Sequence, residues 1–416
     1  MNVAAASSIE NRSQTKSCSR DWILLPLISL LTIAILAIST ECTLRLLFPV
    51  AQVGFDNCFV KNDALAPAKP NSSCFERFAE SRFPAEYRFD SRGHRSNMEL
   101  QPKRPDSYRI VMIGSSMAMG LFVPQQMSFA STLPKELSYR TRRRVELYNE
   151  ATGGKYRGGP FPIHGSVGRF NAVLSANPDM ILWVVTPMDI ENADSADESA
   201  ATNLSISTSV PAEEPGRPAS LWSKLRNAIA NGSLRDKLRD RWEQSRTAVI
   251  LKHFLLANES SGEYVKSFLE NDNEAGFLRA QPNSKWQHLL SVFQNDAAEF
   301  AQRAKRAGVP FVVVLIPNRA QAAMVSMGRW PEGYDPYKLD NELREMVQAN
   351  GGIYMDILPN FRRIPSPERY YFPLDGHLDA DGHALVSGQL THNLTGGVVS
   401  ALKAEPHAQI VSAQDR

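Results

Sequence analysis

From Trp22 to Ser39 the chain runs for 18 residues without a charge, most of them Leu, Ile or Ala. Such a run cannot face water along its whole circumference, and as a helix of about 27 Å it just spans the hydrocarbon of a bilayer. Arg12, Lys16 and Arg20 precede it, whereas Arg45 is the one basic residue in the next twenty. The basic excess therefore predicts a cytoplasmic tail at 1–21, a transmembrane helix at 22–39 in contact with the membrane bilayer, and everything after it outside the cytoplasm. Ala37-Ile38-Ser39 resembles a cleavage site. The apolar run is nevertheless longer than the usual signal-peptide core, which favours an uncleaved anchor.

Outside that run the chain has an ordinary globular composition. Of its 416 residues 43% are hydrophobic and 22% charged, enough to bury a sizeable core. Lys and Arg number 46 against 44 Asp and Glu, so the balance argues against a nucleic-acid partner. The four cysteines all lie before residue 75 with no C-x-x-C pair, which makes a metal scaffold a poor fit. In an oxidising compartment Cys58 and Cys74, separated by a Pro- and Ser-containing stretch, are expected to form a disulfide. No nucleotide loop or H-E-x-x-H helix occurs, and no cofactor is called for. The sequence does not set the oligomeric state.

Beyond an extracytoplasmic linker at 40–103, short apolar runs recur at 108–114, 145–148, 180–185, 311–316 and 353–356. They lack period-2 alternation, as expected of strands covered on both faces. Between them Ser284 to Ala307 carries Trp286, Leu289, Leu290, Phe293, Ala297, Phe300, Ala301 and Ala304 at helical spacing. Alternating strands and helices predict an α/β domain at 104–396, with a C-terminal tail at 397–416. An insertion at 192–283 interrupts it. Its first part, Asn192 to Ser220, reads as a loop; Leu221 to Asn258 reads as helical, with eight Lys and Arg against three acids. That excess suits either a solvated face or a surface touching anionic lipid or polymer.

Two blocks carry chemistry. Gly114-Ser115-Ser116-Met117-Ala118-Met119-Gly120 comes directly after the first core strand, where a serine hydroxyl on a strand-to-helix turn is exposed and its N–H lies near a helix start. Near the other end, Asp375-Gly376-His377-Leu378-Asp379-Ala380-Asp381-Gly382-His383 supplies a histidine able to take a serine proton and a carboxylate able to orient it.

With these blocks the sequence resembles the SGNH, or GDSL-like, hydrolases, in particular their membrane-anchored extracytoplasmic members, over Ser107 to Asp189 and Ser284 to Thr395. Phe89 to Arg95 is similar to the lead-in of those members, and Val145 to Asn149 with Gly153 and Gly154 looks like the second block. The resemblance implies a three-layer α/β/α fold with a parallel, flavodoxin-like central sheet. It implies catalytic Ser116, His377 and Asp375, with an oxyanion hole from the N–H groups of Ser116 and Gly153, and His383 as a structural residue. The implied activity is esterase action on O-acyl groups, acetyl above all, of an acylated carbohydrate substrate such as an envelope or exported polysaccharide, or transfer of the acyl group.

Three departures stand out. Ser115 occupies the usual aspartate position before the nucleophile. Leu374 sits three residues before His377, so Asp375 must act from a spacing of two. Met188, in Thr186-Pro187-Met188-Asp189, replaces an oxyanion-hole asparagine, and a thioether donates no hydrogen bond. Asn149 and Asn192 are candidate replacement donors, and Asp189 is open to either a structural or a site role. The Met188 change leaves a second expectation, a catalytically weak member of the fold that binds or assembles glycans.

Overall fold

The computed structural model describes residues 21–47, 55–58, 68–78, 80–152, 167–191 and 245–404. Helix α1 (Asp21–Leu47) extends about two turns past Ser39, through Glu41 and Arg45. Its Leu24–Leu47 segment has a mean hydropathy of 2.0 with none of that apolar surface buried, and it is long and apolar enough to cross a membrane.

A parallel sheet forms the centre of the remainder. Its strands are β3 (Ser107–Ile113), β4 (Arg144–Asn149), β5 (Met180–Val185), β6 (Phe311–Leu315) and β7 (Ile353–Tyr354). They lie in the order β4-β3-β5-β6-β7, which is the flavodoxin-like order with a topological switch between β3 and β5. Every residue of β3, β5 and β6 is buried, and this explains the apolar runs there; Arg109 in β3 is the charged exception, buried against Glu146 at 3.0 Å. Alternate residues feed two separate cores: Ile110, Met112 and Val184 on one face, Val111, Ile113, Trp183 and Val185 on the other.

Helices cover both faces. They are α2 (Ser116–Met119), α3 (Phe129–Thr141), α4 (Val167–Ser175), α5 (Pro187–Glu191), α6 (Arg246–Ala257), α7 (Ser261–Leu269), α8 (Ser284–Arg306), α9 (Arg319–Met327), α10 (Lys338–Ala349) and α11 (Ala380–Asn393). Helix α8 starts where the Asn283 side chain accepts the Trp286 N–H and ends on Arg303, Lys305 and Arg306, which suit the negative end of its dipole. Its apolar stripe places Phe293 and Phe300 against Trp183 at ring separations of 5.2 and 5.9 Å.

The stretch 40–103, expected as a linker, contains paired structure. Strands β1 (Ser73–Glu76) and β2 (Ala85–Arg88) form an antiparallel pair, and Cys58 is disulfide-bonded to Cys74. Arg95 joins this segment to the end of α2 and the loop after it. Its buried guanidinium lies 4.2 Å from the Tyr87 ring centre and donates to the carbonyls of Glu86, Met119, Gly120 and Val123. Burial lowers its pKa to about 10, which leaves it charged at neutral pH.

Arg95→Met is expected to strand those four carbonyls and lower unfolding stability by about 3 kcal/mol or more, measured by chemical denaturation. Arg95→Lys should restore only part of it, because an ammonium cannot match a planar fork to four acceptors.

Candidate active site

The chain leaves β3 through Gly114, whose φ of +156° and tight surroundings admit no side chain; a Cβ there would lie 2.6 Å from the Val184 carbonyl oxygen and 2.8 Å from the Ala118 Cβ. That close approach turns the backbone into α2 with Ser116 as its first residue. The N–H of a first helical residue has no partner within its own helix. Ser116 thus sits at the carboxyl end of the sheet beside the switch point, where ligands of such folds bind.

His377 reaches the serine from a loop before α11. Its Nε2 lies 2.7 Å from Ser116 Oγ, and its Nδ1 is hydrogen-bonded to Asp375 Oδ1. With a proton on Nδ1 facing the carboxylate, Nε2 is left as the acceptor for the serine hydroxyl. The short spacing works because Gly376 adopts φ +85°, which folds the backbone so that one carboxylate oxygen also accepts the His377 N–H at 3.1 Å. The Phe372 N–H to His377 carbonyl bond (2.8 Å) and the Gly376 N–H to Phe372 carbonyl bond (2.9 Å) close the loop.

Glu80 holds this loop from outside and has no signature in the sequence. Its side chain is 1% exposed, and its carboxylate accepts the Leu374 N–H at 2.9 Å and the Asp375 N–H at 3.0 Å. Local sequence gives no signal for this contact, since the partners lie 294 and 295 positions away. Phe122 is a second residue that sequence reasoning missed. It takes φ +65°, unusual for an aromatic, donates its N–H to the Tyr87 hydroxyl at 2.9 Å and turns its ring edge-on to His377 at 5.5 Å.

Of the other residues expected in the site, Gly153 and Asn192 lie outside the described residues. Thr152, the last described residue before Gly153, donates its N–H to the Gly114 carbonyl at 3.1 Å. Asn149 is buried and commits its amide, donating to the Ala118 carbonyl at 3.2 Å and accepting the Ala151 N–H at 3.0 Å. It braces the turn behind Ser116. Met188 is 57% exposed. His383 is buried, accepts the Phe129 N–H at 3.3 Å and has its pKa lowered to about 3 by burial, so it stays neutral and structural. Asp189 is buried at the switch point, where its carboxylate accepts the Thr186 N–H at 2.8 Å and its own N–H donates to the Thr186 hydroxyl at 3.3 Å. It braces the end of β5, and the nearby Ser115 side chain acts to lower its pKa.

No family model matches the chain, and no curated protein matches it closely. Among solved structures, one described as the crystal structure of TesA is similar at 11% identity and a TM-score of 0.33, covering 69% of this chain and 98% of that one. A lipase/acylhydrolase from Enterococcus faecalis is similar at 14% identity and a TM-score of 0.32, covering 70% and 96%.

Burial raises the Asp189 pKa from 3.8 to about 6. A raised folded-state value means that its contribution to stability is complete below pH 3.8 and is lost as the pH rises through about 6. Asp189→Asn should therefore flatten the pH dependence of stability across that window, by on the order of 2–3 kcal/mol in denaturation midpoints converted to free energy.

Proposed function

We propose that the chain is a membrane-anchored serine esterase of the SGNH type, acting on O-acyl groups of an envelope or exported polysaccharide. The observation that carries the reading is the 2.7 Å contact of Ser116 Oγ with His377 Nε2, backed by Asp375 on the far ring nitrogen. In this mechanism His377 takes the hydroxyl proton as Ser116 Oγ attacks the ester carbonyl. The N–H groups of Ser116 and Gly153 stabilise the oxyanion, and the protonated imidazole then gives its proton to the departing sugar hydroxyl. The acyl-serine is resolved by water, or by another sugar hydroxyl if the reaction is transfer. Asp375 keeps the imidazole in the competent tautomer and offsets its charge.

The anchor reading draws on the basic residues before the apolar run and on the fully exposed apolar surface of α1. The Cys58–Cys74 disulfide is consistent with an oxidising, extracytoplasmic location for the chain beyond α1. The carbohydrate substrate is inferred from the resemblance of the sequence blocks.

Exposed Met188 favours a second reading, in which catalysis is weak and the protein chiefly binds acylated glycan. Loss of one oxyanion donor costs about 2.7–4 kcal/mol, or 100- to 1000-fold in rate.

Full-length protein in detergent is expected to react with a fluorophosphonate probe, and Ser116→Ala and His377→Ala to abolish labelling. An unlabelled but folded wild type would exclude covalent serine catalysis. Asp375→Asn should retain the fold and lower kcat by about 10⁴-fold. On O-acetylated polysaccharide, acetate release should require Ser116, whereas binding alone survives Ser116→Ala. If the hole lacks a donor, Met188→Asn should raise kcat, by up to about 100-fold.

A further inference from the structure

Helix α6 touches both the apolar helix and the triad loop. At its start, the Glu41 carboxylate of α1 accepts the Arg246 and Thr247 N–H groups at 3.1 and 3.0 Å, and the Ser245 and Thr247 hydroxyls at 2.7 and 2.8 Å. Glu41 lies two residues beyond the end of the uncharged run, so α6 begins where α1 would emerge from a bilayer.

Farther along, α6 makes two separate ties to the segment just before His377. His253 Nδ1 lies 2.9 Å from Glu80 Oε1, and Glu80 holds the Leu374 and Asp375 N–H groups. The Leu256 carbonyl accepts from Arg319 at 3.1 Å, and the same buried guanidinium donates to the Pro373 carbonyl at 2.7 Å. One anion and one cation thus bridge α6 to residues 373–375, the anion through N–H groups and the cation through a carbonyl.

The outward face of the helix is largely apolar and uncovered by the described residues. Leu251, Phe254 and Leu255, at i, i+3 and i+4, are 51%, 62% and 65% exposed. They form one stripe, with Lys252 exposed beside it. An apolar stripe flanked by a basic residue and attached to the emergent end of an apolar helix has the chemistry of an interfacial helix, whose apolar side sinks into the headgroup and acyl boundary. The described residues offer no other cover for it.

We propose that α6 is a membrane-contacting strap: Leu251, Phe254 and Leu255 rest in the interfacial layer of a phospholipid bilayer, and the ties at His253 and Leu256 hold the Asp375 loop. Glu80 is then a positioning residue, acting on His377 only through Asp375. The strap rests on the reading of α1 as an anchor, and its effect on turnover rests also on Ser116 as the nucleophile.

The test uses full-length protein reconstituted in phosphatidylcholine–phosphatidylglycerol vesicles. With Cys18 and exposed Cys42 both replaced by Ser, a nitroxide is attached at Phe254→Cys and, as a control, at Lys266→Cys on the neighbouring helix. The spin label at 254 should be reached by oxygen and shielded from a water-soluble nickel chelate, and the label at 266 should show the reverse. Equal chelate access at the two positions overturns the bilayer contact.

The link to the loop is read in two further ways. Glu80→Ala and Glu41→Ala should both speed amide hydrogen exchange at Leu374 and Asp375. With p-nitrophenyl acetate they should lower kcat on the order of tenfold with little change in KM, and Glu80→Gln, which keeps one acceptor oxygen, should recover part of the loss. Unchanged exchange and unchanged kcat in both alanine variants overturn the link. A wild type that hydrolyses no ester defeats the esterase reading alone, because the nitroxide and exchange measurements do not depend on turnover.

Discussion

The hydrogen bond between Ser116 and His377 joins side chains 261 positions apart in the chain, and a contact of about 3 Å tolerates little error at either end. The serine end is fixed by a turn that only glycine at 114 can make. The histidine end hangs on a loop with little regular structure, held by Gly376, Glu80 and Arg319. The parallel sheet aims both ends at the same edge, because β3 and the strands beside it all finish there. Side-chain anchors then bring the two ends together.

Much of this was legible in the sequence, for a physical reason. A strand buried on both faces is mostly apolar, so the β5 run 180–185 appears in the sequence with its observed limits, and the runs marking β3, β4, β6 and β7 are displaced by no more than two residues at an end. The stripe of α8 was visible because one helix face meets one sheet face. The Ser116 and Asp375–His377 blocks were visible because their chemistry needs particular residue types within a few positions. Glu80, Arg95, Phe122 and Arg319 were not visible. Glu80, Arg95 and Arg319 act on backbone groups distant in the chain, and Phe122 offers its own N–H to the distant Tyr87 hydroxyl; a backbone carbonyl or N–H looks alike in every residue that carries it.

The three departures from the family pattern also have different structural meanings. The Ser115 side chain lies close enough to Asp189 to lower its pKa, so the position before Ser116 remains polar at the switch point. The two-residue spacing is met by the left-handed glycine between acid and base. Met188 has no such compensation among the described side chains, since the nearby amide of Asn149 is turned toward Ala118 and Ala151. The first two changes are therefore rearrangements of support, while the third bears on the chemistry itself.

On the proposed reading of Ser116 as nucleophile and His377 as base, their long separation has a consequence during synthesis. At about 5–20 residues per second the histidine emerges roughly 13–50 s after the serine. Throughout that interval Ser116 has no base beside it and is as unreactive as any exposed alcohol. On that reading activation comes late, because it waits for the loop before α11 to be made. The serine of a nascent chain of this design is chemically quiet until then.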